Sequence, residues 1–73
     1  MPKLLTITTY SDGEEMAEVN DIKSLSDLDI HVQEDRAMFK EFGDTNLRLD
    51  YFLECVHTET SHRSFEHVKT EQI

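Results

Sequence analysis

The residues best suited to chemistry in this chain lie in its last third. Cys55, His57, His62 and His67 are residue types that bind zinc, and His31 is the only other histidine. Structural zinc sites are built around closely spaced pairs of cysteines, and this sequence has a single cysteine. We therefore predict surface histidines and one buried thiol, with no metal site and no cofactor, and a small zinc protein with one metal per chain is the alternative.

A second set of reactive residue types is found at a predicted turn. Glu59, Ser61 and His62 are the types that form a nucleophilic triad, but three neighbours on one turn cannot align as a proton relay. Paired carboxylates such as Asp27 and Asp29 do acid–base chemistry only in a cleft that raises a pKa, and a thin core provides no such cleft. The sequence therefore predicts no catalytic residue and no enzyme.

The chain's 73 residues, 37% of them hydrophobic, predict a single domain over 1–73. A core of this size rarely supplies more than about 3–5 kcal/mol, which favours a homodimer. A lone cysteine suits a reducing compartment, here predicted to be the cytoplasm. No apolar run approaches a membrane span, and the threonines that follow Leu5 leave no signal-peptide core.

The first third of the chain has the pattern of a β-hairpin. Lys3–Tyr10 is rich in β-branched residues and has no acid, which predicts a strand. Ser11–Glu14 contains Asp-Gly, a turn signal, and Met16–Ile22 is predicted to return as the second strand.

The next segment, 24–42, has two competing patterns. Ser24 with Asp27 resembles a capping box, and Gly43 is a plausible helix stop. Alternation over 27–32 fits a strand equally well. We predict a helix over Glu34–Phe42 and leave Leu25–Val32 open between helix and strand. The residues that share one helical face are Leu25, Leu28, Val32, Phe39 and Phe42, with Asp35 among them.

The last third predicts a second hairpin, formed by Leu47–Thr58 and Arg63–Thr70, with residues 71–73 fraying. Phe52 and Val56 lie on the face away from the core and are the predicted dimer contacts. The fold class that follows is α+β, with an antiparallel sheet of four or five strands and one helix packed on a face. Within the predicted strand Leu47–Thr58, alternation places these residues on the core face: Leu47, Leu49, Tyr51, Leu53 and Cys55.

Acidic residues are concentrated in one third of the sequence. The chain has 16 acids against 7 basic residues, a formal net charge of −9. Residues 12–35 contain nine of the acids and a single lysine, Lys23. These nine are the predicted partner-binding residues: Asp12, Glu14, Glu15, Glu18, Asp21, Asp27, Asp29, Glu34 and Asp35. Solubility alone is the simpler explanation, but a solubilising surface mixes its signs and this segment does not.

The chain resembles small phage-encoded host-takeover proteins that act as DNA mimics. It shares their small size, strong negative charge (here −9), single thiol and α+β pattern. Within that group the chain is similar to inhibitors of HU-type nucleoid proteins. The resemblance covers the whole chain. It implies a dimer whose acidic surface occupies the DNA-binding cleft of a basic host protein. Anti-restriction and anti-CRISPR proteins share this general character.

Two functional hypotheses follow. In the first, the nine acids, joined by Asp44, Asp50 and Glu54, bind a basic DNA-binding protein of the bacterial host and block its DNA site. Direct binding to nucleic acid is not expected, because phosphates repel this chain. In the second, the chain is an adaptor or inhibitor of a host enzyme (a polymerase, nuclease, or restriction or CRISPR effector). That partner binds through an edge strand and a hydrophobic patch.

Overall fold

The computed structural model of the protein describes residues 2–43, 46–57, 59 and 62–73, and for residues 56 and 57 it describes the backbone alone. This part of the chain forms one helix and one four-stranded antiparallel sheet, with the strand order β2-β1-β3-β4. The predicted α+β class is confirmed. The elements are β1 (Lys3–Thr9), β2 (Glu15–Asp21), α1 (Ser26–Glu41), β3 (Arg48–His57) and β4 (His62–Gln72).

The first hairpin forms as predicted. Tyr10 closes the turn, since its N–H donates to the carbonyl of Glu14 at 2.8 Å and its carbonyl accepts from Gly13 at 3.0 Å. Gly13 has a φ of +91°, a conformation that side chains with a Cβ rarely adopt. The Asp12 carboxylate accepts a further hydrogen bond from the Glu14 N–H at 3.0 Å. The Asp-Gly signal therefore fixed this turn through both residues.

The segment that the sequence left open, 25–32, belongs to the helix apart from its first residue. Alternation would have placed Leu28, Ile30 and Val32 together on one side. Val32 is buried and Leu28 packs against the core, whereas Ile30 is 52% exposed. The helical period therefore decides which side chains are buried.

The ends of α1 differ from the capping-box prediction. Leu25 precedes the helix in a helical conformation and makes no side-chain cap. The carboxylate of Asp27 accepts a hydrogen bond from the Lys23 N–H at 2.8 Å, one residue earlier than a box with Ser24 requires. At the other end Gly43 has a φ of +75°, which confirms it as the stop.

The two predicted ends of the apolar stripe are not buried. Leu25 is 67% exposed and Phe42 is 73% exposed. Both residues lie just outside the helix bounds, so their side chains extend beyond the region where α1 contributes to the core. The apolar face predicted for the helix is therefore buried only between these two ends.

Strand alternation gives the sheet two unlike faces. The face that we call the core face bears Leu4, Leu49 and Tyr51, each fully buried, and α1 contributes Val32 and Phe39 to the same core. Ile22 and Leu47 complete this core, whereas Leu53 and Cys55 are half-buried. The opposite face, which we call the open face, bears these apolar residues: Leu5, Ile7, Ala17, Val19, Phe52 and Phe65.

The C-terminal residues do not fray, contrary to the prediction. Strand β4 continues to Gln72, and Ile73 exchanges two backbone hydrogen bonds with Leu47, of 3.0 and 3.2 Å. The Ile73 side chain also packs against the core. Ile73 therefore extends the sheet contact to the start of β3, where Leu47 is buried.

Candidate functional site

Strand β2 is an edge strand of the sheet and lies within the acidic segment, residues 12–35. Glu18 is paired with Thr6 of the core face, whereas Glu15 and Asp21 lie on the open face. All three carboxylate residues are exposed. Asp21 is neutralised by Lys3, whose Nζ lies 2.9 Å from its Oδ1. This contact raises the pKa of Lys3 and lowers the pKa of Asp21.

The helix divides its acids between two flanks. Asp27 and Glu34 are seven residues apart, two turns, and so lie on one flank. Asp29 is likewise seven residues before Arg36, whose guanidinium pairs with Glu71 of β4. Asp29 is therefore on the β4 flank, and the flank with Asp27 faces the β2 side of the sheet.

Asp35 lies between the helix and the sheet. Its Oδ2 accepts a 2.8 Å hydrogen bond from the hydroxyl of Tyr51, which explains an acid on the apolar stripe. Burial raises the pKa of Asp35, and the bond from Tyr51 opposes that shift. The negative charges of Glu18 and Glu34 raise the pKa further, so β2 and α1 bring these carboxylates within electrostatic range of one another.

We name the carboxylates on the β2 side of the molecule the acidic edge. The β1–β2 turn supplies Asp12 and Glu14, and Asp35 lies at its inner margin. Glu41 is seven residues beyond Glu34, shares its flank, and was not predicted. The members of the acidic edge are Asp12, Glu14, Glu15, Glu18, Asp27, Glu34 and Glu41. Across the described residues, none of the seven forms an ion pair.

Three of the four carboxylates on β3 and β4 are in ion pairs, and Glu66 is the exception among the described residues. Asp50 lies 3.1 Å from Arg48 Nε and 3.3 Å from His67 Nε2, and the hydroxyl of Thr70 donates to it at 2.7 Å. The Thr70 bond, followed by the charge of Arg48, lowers the pKa of Asp50. Asp50 therefore does not join the acidic edge.

Two further acids of this half are also paired. Glu54 lies 3.7 Å from Arg63, and Glu71 lies 3.2 Å from Lys69 in addition to its contact with Arg36. Most unpaired carboxylates thus lie on the β2 side and most paired ones lie on β3 and β4, with Asp21, Asp29 and Glu66 as exceptions. Asp44, the third acid expected to join the nine, lies outside the described residues.

The predicted dimer contacts lie on the open face of β3. Phe52 is half-buried, with its ring edge-on to His67 at a centroid distance of 5.3 Å. The side chain of Val56 lies outside the described part of the chain.

The zinc-ligand types do not converge in the part of the chain that the structure describes. No group of three or more His, Cys, Asp and Glu side chains there is arranged to hold a metal ion. The thiol of Cys55 is half-buried and 3.8 Å from the carbonyl of Leu53. Burial raises its pKa, which disfavours the thiolate. The side chain of His57 and all of Ser61 lie outside the described residues.

No known protein family, curated protein or solved structure matches this chain. Among the helical residues described, no segment is long and apolar enough to cross a bilayer.

Proposed function

We propose that this protein is a non-enzymatic inhibitor that presents its acidic edge to a basic DNA-binding protein of a bacterial host, in the host cytoplasm. The carboxylates occupy the cationic site that otherwise holds phosphates, so the partner releases DNA. A nucleoid protein of the HU type is the favoured partner. No cofactor takes part.

One observation carries the proposal: the separation of unpaired from paired carboxylates. The seven acids of the acidic edge have no ion pair within the described chain, whereas three of the four acids on β3 and β4, Asp50, Glu54 and Glu71, have a cationic neighbour. Acids placed for solubility alone do not need this division, since mixed signs serve solubility equally well. Unpaired carboxylates remain available to the lysines and arginines of a partner.

The spacing of the acidic edge is compatible with a phosphate array of reduced density. The seven residues of β2 span about 23 Å, a length over which duplex DNA carries about 14 phosphates. Two of the seven carboxylates of the acidic edge, Glu15 and Glu18, lie on this strand, and the other five are in the β1–β2 turn and on α1. Glu15 and Glu18 are about 10 Å apart along β2, close to three base-pair steps.

The scaffold holds these groups in place. Glu18 is on a strand that is hydrogen-bonded to β1, and Glu34 is on a helix tied to the sheet by the Asp35–Tyr51 bond. Fixed carboxylates lose less conformational entropy on binding than those of a disordered acidic tail. Electrostatic steering predicts fast association that weakens as salt is added.

The test is a competition between this protein and DNA. Increasing amounts of the protein are added to a complex of a purified HU-type protein with fluorescent duplex, and release of the DNA is followed by anisotropy. We expect release at low salt and progressively less binding of the inhibitor to the nucleoid protein as salt increases.

Two double variants with the same charge change provide the control. Glu15→Lys with Glu18→Lys alters the acidic edge, and Glu59→Lys with Glu66→Lys alters exposed acids outside it. We expect the first pair to weaken inhibition about 10-fold or more, at about 1 kcal/mol for each lost charge contact, and the second to have a much smaller effect. Equal effects of the two pairs contradict the proposal, because net charge alone would then explain the inhibition.

The host-enzyme alternative makes a different prediction. Binding through an edge strand and an apolar patch is insensitive to salt and is lost when Phe52 is replaced. A partner that binds equally well at low and high salt, and tolerates the Glu15→Lys/Glu18→Lys variant, would support that alternative.

A further inference from the structure

The open face of the sheet has an apolar centre and lies on the side of the sheet away from α1. An antiparallel sheet with one solvated face normally bears polar side chains on that face. Here one row of paired residues runs across three strands as Val19, Leu5 and Phe52, and Ile7 with Ala17 forms the next row. Val19 is 51% exposed and Phe65 of β4 is 41% exposed.

Ion pairs flank this apolar centre. At one end are the pairs Lys3–Asp21 and Arg63–Glu54, and on the β3–β4 side are Arg48 and His67 around Asp50, which is paired with Ile7. An apolar centre with a hydrogen-bonded polar rim is the usual anatomy of a protein interface.

The open face is nearly neutral, unlike the rest of the molecule. Its carboxylates are Glu15, Asp21, Asp50 and Glu54, and its cations are Lys3, Arg48 and Arg63. The formal charge of the open face is thus −1, so eight of the nine units of negative charge in the chain lie elsewhere. A second copy therefore meets little repulsion here, although two whole chains carry a charge of −18.

We propose that two copies of this chain pack face to face through their open faces. The product is a symmetric dimer in which the paired sheets are inside and each copy's helix is outside. This arrangement deepens the proposed function, since it leaves six of the seven residues of each acidic edge outside the interface, with Glu15 at the end of the open face. The argument for the dimer rests on the open face alone.

The area is sufficient for a specific but small interface. Four strands at about 4.8 Å spacing and about 23 Å of paired length give roughly 440 Å² in plan for each copy. Two copies then bury roughly 900 Å², not counting the extra area of side chains that protrude from the sheet, and this value is near the lower limit for specific complexes. We therefore expect a dimer that dissociates on dilution.

The edge strand β2 is a less favourable route to a dimer. A two-fold antiparallel pair of β2 strands places Glu18 opposite Glu18 and Glu15 opposite Asp21, so every acid faces another acid. Like charges directly opposite one another destabilise a strand pair, and charged edges of this kind oppose edge-to-edge association.

The test measures the mass of the full chain by sedimentation over a wide range of concentration. Val19→Asp places a charge in the proposed interface, and Ile30→Asp makes the same change at equal exposure on α1, away from the open face. We expect Val19→Asp to raise the dimer dissociation constant about 100-fold or more, because it buries an unpaired charge. Ile30→Asp should leave that constant unchanged, and circular dichroism verifies that both variants fold.

Salt provides a second readout. Dimerisation through the open face should persist or strengthen as salt screens the repulsion between acidic edges, whereas binding of a basic partner weakens. A chain that is monomeric at every concentration overturns the inference, as does a dimer that Val19→Asp leaves intact or Ile30→Asp equally disrupts. A monomer that still releases DNA from the HU-type protein overturns the dimer alone and leaves the proposed function standing.

Discussion

The hydroxyl of Tyr51 donates a 2.8 Å hydrogen bond to Oδ2 of Asp35, and this bond joins the helix to the centre of the sheet. Tyr51 is fully buried on β3, and Asp35 occupies a position of α1 that the apolar stripe would otherwise assign to a hydrophobic residue. The bond therefore places an acid at the margin between the core and the acidic edge. It also makes the helix–sheet contact sensitive to substitution and to pH.

Replacement of Tyr51 by Phe should destabilise the protein by about 1–3 kcal/mol, since Asp35 loses its partner while remaining partly buried. Urea unfolding followed by circular dichroism measures the change. The same substitution in an Asp35→Asn background should cost less, because a neutral amide is less costly to leave without a partner. Equal costs in the two backgrounds would show that the negative charge of Asp35 does not strengthen the bond, since the amide oxygen of Asn can accept it as well.

Asp35 should make stability fall as the pH rises. Burial raises its pKa in the folded state above the ordinary value, so the fold favours the protonated acid, and this stability is lost as the pH rises through the folded pKa. Asp35→Asn should therefore stabilise the protein at about pH 7 and have less effect at about pH 3, as measured by unfolding at both values. Stabilisation of the same size at both would contradict the assignment.

Asp21 and Asp50 should act in the opposite direction. Their partners lower both pKa values, so the stability that they provide is lost as the pH falls through those lowered values. Asp50→Asn should therefore reduce stability at neutral pH and have less effect in acid. Glu66→Gln, at an exposed site on the neighbouring strand, is the control.

Removal of Ile73 should cost about 2 kcal/mol, since two backbone hydrogen bonds with Leu47 are lost along with a core contact. Amide hydrogen exchange at Leu47 should become faster in the shortened chain. Gln72→Ala, which retains the backbone and changes an exposed side chain, should leave both measurements unaltered.

Gly43 provides a test of backbone strain without steric contact. A Cβ added at Gly43 meets no atom within 4 Å, yet its φ is +75°. Gly43→Ala should therefore cost about 1 kcal/mol through conformation alone. Gly43→Asn should cost less, as Asn tolerates this region and Asn46 already adopts a φ of 61° in this chain.

Local patterns in the sequence predicted most of the elements. The Asp-Gly turn, the alternation of Leu49 and Tyr51, and the stop at Gly43 depend on neighbouring residues, and the structure confirms them. The sequence did not decide between helix and strand for residues 25–32, because an alternating pattern and a helical period fit those residues equally well. Contact with the core face resolves it, and that contact involves strands far away in the sequence.

The surroundings of the acidic residues were likewise beyond what the sequence could predict. Their concentration in residues 12–35 is a property of the sequence, and exposed carboxylates were a safe expectation from charge alone. The sequence did not reveal that Lys3 neutralises Asp21, that Asp29 lies on the β4 flank, or that Asp35 turns inward to Tyr51. Each of these results depends on which strand lies beside which.

The sequence by itself determined the charge, the strand and turn propensities, and the residues able to form a small core, because these properties belong to single residues and near neighbours. Only the tertiary structure decided which acids are unpaired and which apolar residues meet on the open face. Strand pairing brings together residues distant in the chain, as in the row from Val19 through Leu5 to Phe52. A one-residue shift of that pairing would exchange the two faces of a strand.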